Sequence, residues 1–138
     1  MNLRTWFAAW FRPKSLGERG EDFAARYLRR LGYHILARHV DLRVGELDIV
    51  AADGRTVVFV EVKTRSSDDS GSPAEVVDAR REQRMTQAAL AYLKSHGLLA
   101  HSARFDVVAL TWPAGERTPV VEHIQDAFPA VGRGQFFN

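Results

Sequence analysis

Two carboxylates and a lysine fall at strand spacing: Asp48 in Gly45-Glu46-Leu47-Asp48, and Glu61 and Lys63 in Phe59-Val60-Glu61-Val62-Lys63. Residues i and i+2 of a β-strand point to the same face. Glu61 and Lys63 therefore share a face with Val57 and Phe59, and Glu46 and Asp48 share one on the preceding strand. Clustered carboxylates repel, and burying them is costly unless something positive compensates. One lysine does not balance three acids, whereas a divalent cation does. Carboxylate oxygens suit Mg²⁺ or Mn²⁺. A site with few protein ligands leaves room for water and a phosphate, as metal-assisted phosphodiester hydrolysis requires. In such chemistry Lys63 orients the attacking water or stabilises charge on the phosphate. It acts as a base only with a depressed pKa.

Whether these residues meet depends on the turn at Asp53-Gly54, a strong hairpin signal. With a two-residue loop Ala52 pairs with Arg55, and Asp48 is a diagonal neighbour of Glu61 at roughly 7–8 Å. With a four-residue loop from Asp53 to Thr56, Ala52 pairs with Val57 and Asp48 faces Glu61 directly. Either even loop brings Glu46, Asp48, Glu61 and Lys63 to one face; a three-residue loop does not. Glu21 precedes Ala24 by three and Leu28 by seven, so it lies on the buried stripe of a helix and approaches the site if that stripe packs on the sheet. Each feature has a plainer explanation. Glu61 and Lys63 can be a solvated ion pair, Glu46 and Asp48 strand-edge polar residues, and Glu21 a complement to a helix N-terminus. Their coincidence on one face is what points to function. No histidine pair has ligand spacing; His34, His39, His96, His101 and His123 read as surface residues. No Ser or Thr shows a nucleophile elbow.

The elements that must position these groups follow from periodicity and punctuation. Ser15 or Gly17 caps a helix running to about Leu31, stopped at Gly32, with Ala24, Tyr27, Leu28 and Leu31 as its apolar stripe. Tyr33 to Arg38 and Glu46 to Ala52 read as strands. Thr56 to Lys63 is the clearest strand, apolar on both faces as a central strand should be. Thr64 to Pro73 reads as a polar, mobile loop. A second helix follows from about Ala74 to Ser95, stopped by Gly97, with Met85, Ala88, Ala89, Tyr92 and Leu93 inward. Phe105 to Leu110 is another strand and Val120 to Ile124 a short one, with order ending near Pro129. The first three strands form a meander, and the second helix allows a crossover to a parallel strand. The expected architecture is α/β: one domain, a mixed β-sheet flanked by helices, in the order αβββαβ.

Composition narrows the classes. The chain has 138 residues, 46% of them hydrophobic, enough for one globular core. It has no cysteine, which removes disulfides and zinc–thiolate sites and fits a cytoplasmic location. Charge is nearly balanced, 19 Lys+Arg against 17 Asp+Glu, unlike a tail that coats nucleic acid, yet a balanced total can hold a basic groove around an acidic centre. No apolar run is long enough for an integral membrane segment. The aromatic run Trp6 to Phe11 is too short for a signal peptide's central region and reads as an N-terminal arm, with membrane-surface contact as the alternative. Trp6, Trp10 and Phe11 are also candidates for stacking on single-stranded bases.

Gly20-Glu21 with Ala24 and Tyr27-Leu28, Gly32-Tyr33, Gly45-Glu46-Leu47-Asp48, Phe59 to Arg65, Ala88 to Leu93, Arg104 to Val108 and Asp126-Ala127-Phe128 occur in an order that resembles the YraN family of small bacterial proteins. That family is in turn similar to the PD-(D/E)XK nuclease superfamily, especially the archaeal Holliday-junction resolvases. The resemblance implies a restriction-endonuclease-like core over 16–129, between an N-terminal arm (1–15) and a C-terminal tail (130–138). It implies Asp48 as the central metal ligand, Glu61 as the second, Lys63 as the catalytic lysine and Glu21 as the helix-borne supporting acid. Glu46 belongs to the motif with a less settled role, and the Val62 carbonyl is a further metal ligand. Two positions depart from the pattern: Arg81 stands where Lys is usual, and His39 where Asn is common.

The expectation is a Mg²⁺- or Mn²⁺-dependent nuclease acting on DNA, branched or single-stranded, in preference to RNA. Arg80, Arg81 and Arg84 are the candidate phosphate contacts, with a solvated helix face as the alternative. A non-catalytic module that binds nucleic acid or protein on the same fold is the rival reading. Oligomeric state stays open; resolvase-like enzymes pair as homodimers.

Overall fold

A helix must satisfy the free N–H groups of its first turn, and Ser15 does so for α1 (Leu16–Arg30), its hydroxyl accepting from the Glu18 N–H at 3.1 Å. The helix ends where Gly32 enters the left-handed region (φ +94) and the Gly32 and Tyr33 N–H groups bond back to Arg29 and Leu28. The computed structural model describes residues 13–67 and 78–131. The aromatic run Trp6 to Phe11, most of the arm, the part of the expected loop from 68 to 73, the expected helix start at 74–77 and the tail from 132 lie outside them.

The strands are β1 (His34–Leu42), β2 (Gly45–Asp53), β3 (Thr56–Ser66), β4 (Ala103–Trp112) and β5 (Val120–Phe128), with α2 (Ala79–Ser95) between β3 and β4. They form one mixed sheet in the order β1-β2-β3-β4-β5. β1 to β3 are an antiparallel meander, β4 lies parallel to β3 after the α2 crossover, and β5 is antiparallel to β4. Among the described residues, the single-domain α/β plan with a mixed sheet and two helices is as expected.

Several boundaries differ, each for a reason that hydropathy does not carry. β1 runs on to Leu42, because Val40 and Leu42 pair with Leu47 and Gly45. β3 does not end at Lys63: Thr64, Arg65 and Ser66 pair with Leu110, Thr111 and Trp112, so polar residues read as loop are held by a neighbouring ladder. β4 begins at Ala103 and ends at Trp112. β5 reaches Phe128, which stacks on Phe105 with ring centroids 4.7 Å apart. Asp78 caps α2 by accepting from the Arg81 N–H at 2.8 Å, so the helix starts later than Ala74. Leu31 is not on the buried stripe; it is the C-cap of α1 and is exposed.

The helices cover opposite faces. Ala24, Ala25 and Leu28 of α1 pack with Ile49, Val58, Val60, Val108 and Leu110. Met85, Ala88, Ala89, Tyr92 and Leu93 of α2 pack with Leu47, Val50, Phe59 and Phe105. β3 is buried on both faces from Val57 to Glu61. α1 also presses on the end of β3, where a Cβ on Gly20 would stand 1.9 Å from the Thr64 hydroxyl oxygen. Only glycine permits that approach, and it places the neighbouring Glu21 beside the sheet.

Candidate active site

The geometry of the site starts at the β2–β3 turn. Gly54 sits at φ +59, Asp53 pairs with Thr56, and the turn closes with Gly54 and Arg55 as its two central residues. Ala52 therefore pairs with Val57, and the register carries Asp48 opposite Glu61. This is the register expected of the wider even loop, reached by a tighter turn. The ladder ends at Ile49 and Val60. One step on, the Asp48 carboxylate accepts the Val62 N–H at 2.9 Å, taking the place of a strand carbonyl.

Glu61 is 4% exposed and Asp48 half-buried. Arg81, from the first turn of α2, grips Glu61 with a fork: Nε lies 2.5 Å from Oε2 and Nη2 3.2 Å from Oε1. Burial pushes the Asp48 carboxyl up to about 8, with the hydrogen bond and charge of Glu61 adding to it. Burial also disfavours ionised Glu61, but the Arg81 fork, the Asp48 hydrogen bond and the Lys63 charge outweigh it and hold Glu61 below its usual range. The pair therefore keeps one proton, on Asp48, and one negative charge, on Glu61.

Glu21 enters from α1. It is 5% exposed, with Oε1 2.9 Å from His39 Nε2 and 3.5 Å from Arg38 Nε. Burial raises its pKa, and His39 and Arg38 oppose the rise. Glu21, His39, Asp48, Val62 and Lys63 line one cleft of about 380 Å³. His39 has φ +51, a left-handed conformation that Asn, Asp and His tolerate best. Around it the β1–β2 ribbon changes face. Ile49 packs with the α1 core, yet Leu47, two residues away, packs with the α2 core. His39 and Asp48 occupy the flip.

The cleft thus gathers Asp48, Val62, Lys63 and Glu21, with Glu61 buried behind Asp48. Glu46 is exposed and stands in an adjoining recess with Asp41 and His39, at the rim of the site. The three arginines separate: Arg81 is an ion-pair partner of Glu61, while Arg80 and Arg84 are exposed on α2. Sequence reasoning missed the inward turn of Arg81, although it lies four residues before Met85 and seven before Ala88 on the buried stripe. It also missed Arg38 and His39 as partners of Glu21.

The donor set fits a hard cation. Two facing carboxylates offer oxygen donors that suit a hard cation once Asp48 is deprotonated, and the Val62 carbonyl points to the same side of its strand as the N–H that Asp48 holds. Among the described residues no three His, Asp or Glu side chains converge as ligands. The set is two carboxylates and a carbonyl, with the remaining positions left to water or substrate.

A third buried acid lies outside the cleft. Asp106 has no exposed surface and accepts from Arg104 Nε at 3.0 Å and the Asp126 N–H at 3.0 Å, with His123 Nε2 at 2.9 Å. Burial would raise its pKa, but the His123 and Arg104 contacts hold it low. Arg104 continues to the Tyr33 hydroxyl at 2.7 Å. His123 is therefore part of a buried network and not a surface residue, a connection across 17 residues that no local pattern reveals.

The chain matches the model of the uncharacterised protein family UPF0102 over residues 20–110. It is 48% identical to a UPF0102 protein of Rhodopirellula baltica across 98% of this chain and 86% of the relative. It is 50% identical to one from Geobacter sulfurreducens (83% and 89%) and 48% identical to one from Moorella thermoacetica (81% and 93%). The family match begins at Gly20 and contains Glu21, Asp48, Glu61, Lys63 and Arg81.

Proposed function

The chain belongs to the UPF0102 family, and from that premise and the facing acids of its cleft we propose that it is a divalent-metal-dependent nuclease that hydrolyses phosphodiester bonds of DNA, branched or single-stranded. The observation that carries the reading is the Asp48–Glu61 pair, one buried and one half-buried carboxylate facing each other beside Lys63. The strand order agrees with a restriction-endonuclease-like core, and membership of the PD-(D/E)XK superfamily is part of the proposal.

Asp48, Glu61 and the Val62 carbonyl would hold Mg²⁺ or Mn²⁺, which supplies a polarised water and Lewis-acid stabilisation of the phosphate. Asp48 would hold the cation as a carboxylate, without the proton it keeps in the metal-free pair. Lys63, half-buried on the same strand face, stabilises charge on the phosphate oxygens and orients the attacking water. Glu21 and His39 border the cleft and hold its α1 wall against β1. Glu46 stands exposed at the rim, in the recess beside Asp48. The exposed Arg80 and Arg84 are available for phosphate contact.

One observation favours a second reading. The Arg81 fork already neutralises Glu61, so the pair can be a structural ion pair in a module that binds without cutting. Calorimetric titration of Mn²⁺ separates the two. The nuclease reading expects binding to the native protein, with proton release, and none to Asp48→Asn. A native protein that binds no Mn²⁺ and cuts no substrate would leave the binding module as the better account.

A further inference from the structure

The candidate cleft does not use a groove lined by five basic side chains. On the side of α1 away from the cleft, a groove of about 410 Å³ lies between the helix and the segment after β4. Lys14, Arg19, Arg26, Arg30 and Arg117 line it, all exposed. The single carboxylate among the lining residues, Asp22, is already paired with Lys14 and with Arg38 Nη2 at 2.6 Å. The groove therefore keeps a large excess of positive charge.

Its construction limits the partner. Arg19, Arg26 and Arg30 recur at seven and four residues along one helix, so their Cα atoms form a line of about 16 Å at 1.5 Å per residue. A rigid row of planar guanidinium forks matches a chain of phosphates better than a single anion. Arg19 is held over the Trp112 ring at 4.6 Å, which fixes one end of the row. Of the three aromatics in the lining, Trp112 is 8% exposed and Phe23 and Tyr27 are half-buried, so none projects fully bare to enter a lipid surface or to stack on a base. The groove is built to track a backbone and not to read bases. It also adjoins the cleft, because α1 turns Gly17 and Glu21 to one and Arg19 and Asp22 to the other.

We propose that the groove lined by Lys14, Arg19, Arg26, Arg30 and Arg117 is a sequence-independent binding surface for the phosphodiester backbone of a nucleic acid, outside the candidate cleft. Its ligand class is that of the nuclease reading, but its affinity needs neither a metal nor Asp48. A strand held there leaves along α1 while another part of the same molecule lies at Lys63.

Fluorescence anisotropy with a labelled DNA strand of about 30 nucleotides, in EDTA, between about 50 and 200 mM salt tests this. The variants are Arg26→Ala/Arg30→Ala/Arg117→Ala, the matching triple lysine, Arg80→Ala/Arg84→Ala, and Asp48→Asn. Three phosphate contacts at about 0.7 each lower the salt slope by about 2, so the alanine triple loses about a 20-fold span of salt sensitivity. It binds every sequence at least about tenfold more weakly at the low-salt end. The lysine triple keeps most of the slope, and Asp48→Asn binds like the native protein. Circular dichroism confirms the fold, which these exposed side chains do not support. An alanine triple with unchanged slope and affinity overturns the proposal. So does a groove dependence seen only with phosphatidylserine vesicles or polyglutamate. Cleavage that fails while groove binding persists refutes the nuclease reading alone; groove binding that fails while Asp48-dependent cleavage persists refutes this one alone.

Discussion

Asp48→Asn should stabilise the metal-free protein while abolishing metal binding. In the folded chain Asp48 holds its proton to about pH 8, against an ordinary value of 3.8. Below 3.8 the folded and unfolded chains are both protonated there. Between 3.8 and about 8 the unfolded chain releases the proton and the folded chain keeps it, so native stability falls as pH rises through that interval. At about 1.36 kcal/mol per pH unit the ceiling is about 6 kcal/mol. Water at the half-buried Asp48 screens the pair, and Glu61, held low by Arg81, contributes stability that is lost only at acid pH. The expected gain for Asn near pH 8 is therefore well below the ceiling, about 1–3 kcal/mol. Asn still accepts the Val62 N–H and can donate to Glu61. Urea denaturation in EDTA at acid and alkaline pH measures the difference. The native curve should slope and the variant's should be flatter. Saturating Mn²⁺, at about 100 times its Kd, should return about 2.7 kcal/mol to the native protein and nothing to the variant. Equal slopes, or a variant less stable at pH 8, would refute the reasoning.

Arg81→Gln leaves Glu61 without its cation, so its pKa should rise; the metal-free protein should lose about 1–3 kcal/mol at pH 8, part of it recovered with Mn²⁺, in the same denaturation series. Arg81→Lys keeps the charge but loses the fork and should fall between the two. Gly20→Ala drives a methyl into Thr64 and should cost about 1–3 kcal/mol in thermal unfolding, relieved in part by Thr64→Gly in the double variant. Asp106→Ala removes the acceptor of buried His123 and one of the two carboxylates on Arg104, which keeps Asp53 at 3.0 Å, and should cost about 1–3 kcal/mol. Because Asp106 is held below its usual value, its contribution is present above 3.8 and lost as pH falls through the folded value, so Asp106→Asn should flatten the acid limb of the stability curve.

Much of the fold was legible in local signals. Ser15 and Gly32 bound α1, the inward stripe of α2 is the buried one, and the alternation of β3 puts Glu61 and Lys63 on one face. The site was legible only up to the turn type, because a strand register is set by the turn and two even turns were open at Asp53-Gly54. The left-handed Gly54 and the Asp53–Thr56 pair decide it. Other features depend on partners distant in sequence. Thr64 to Ser66 are strand only because β4 lies beside them, and His123 is buried only because Asp106 meets it. The face change at His39 comes from one backbone angle that no hydrophobic pattern encodes. The arginine row of α1 carried no signal of its own in the sequence, because its concave setting requires Trp112 and Arg117, distant in the chain.

Cleavage of labelled single-stranded, duplex, flap and four-way-junction DNA, with RNA alongside, tests the central claim most directly. The native protein, Asp48→Asn and Lys63→Ala are compared in Mg²⁺, Mn²⁺ and EDTA. The account predicts metal-dependent cutting by the native protein that both substitutions abolish, with DNA preferred. Cutting that persists in EDTA or in Asp48→Asn, or a native protein that cuts nothing with either metal, would contradict it.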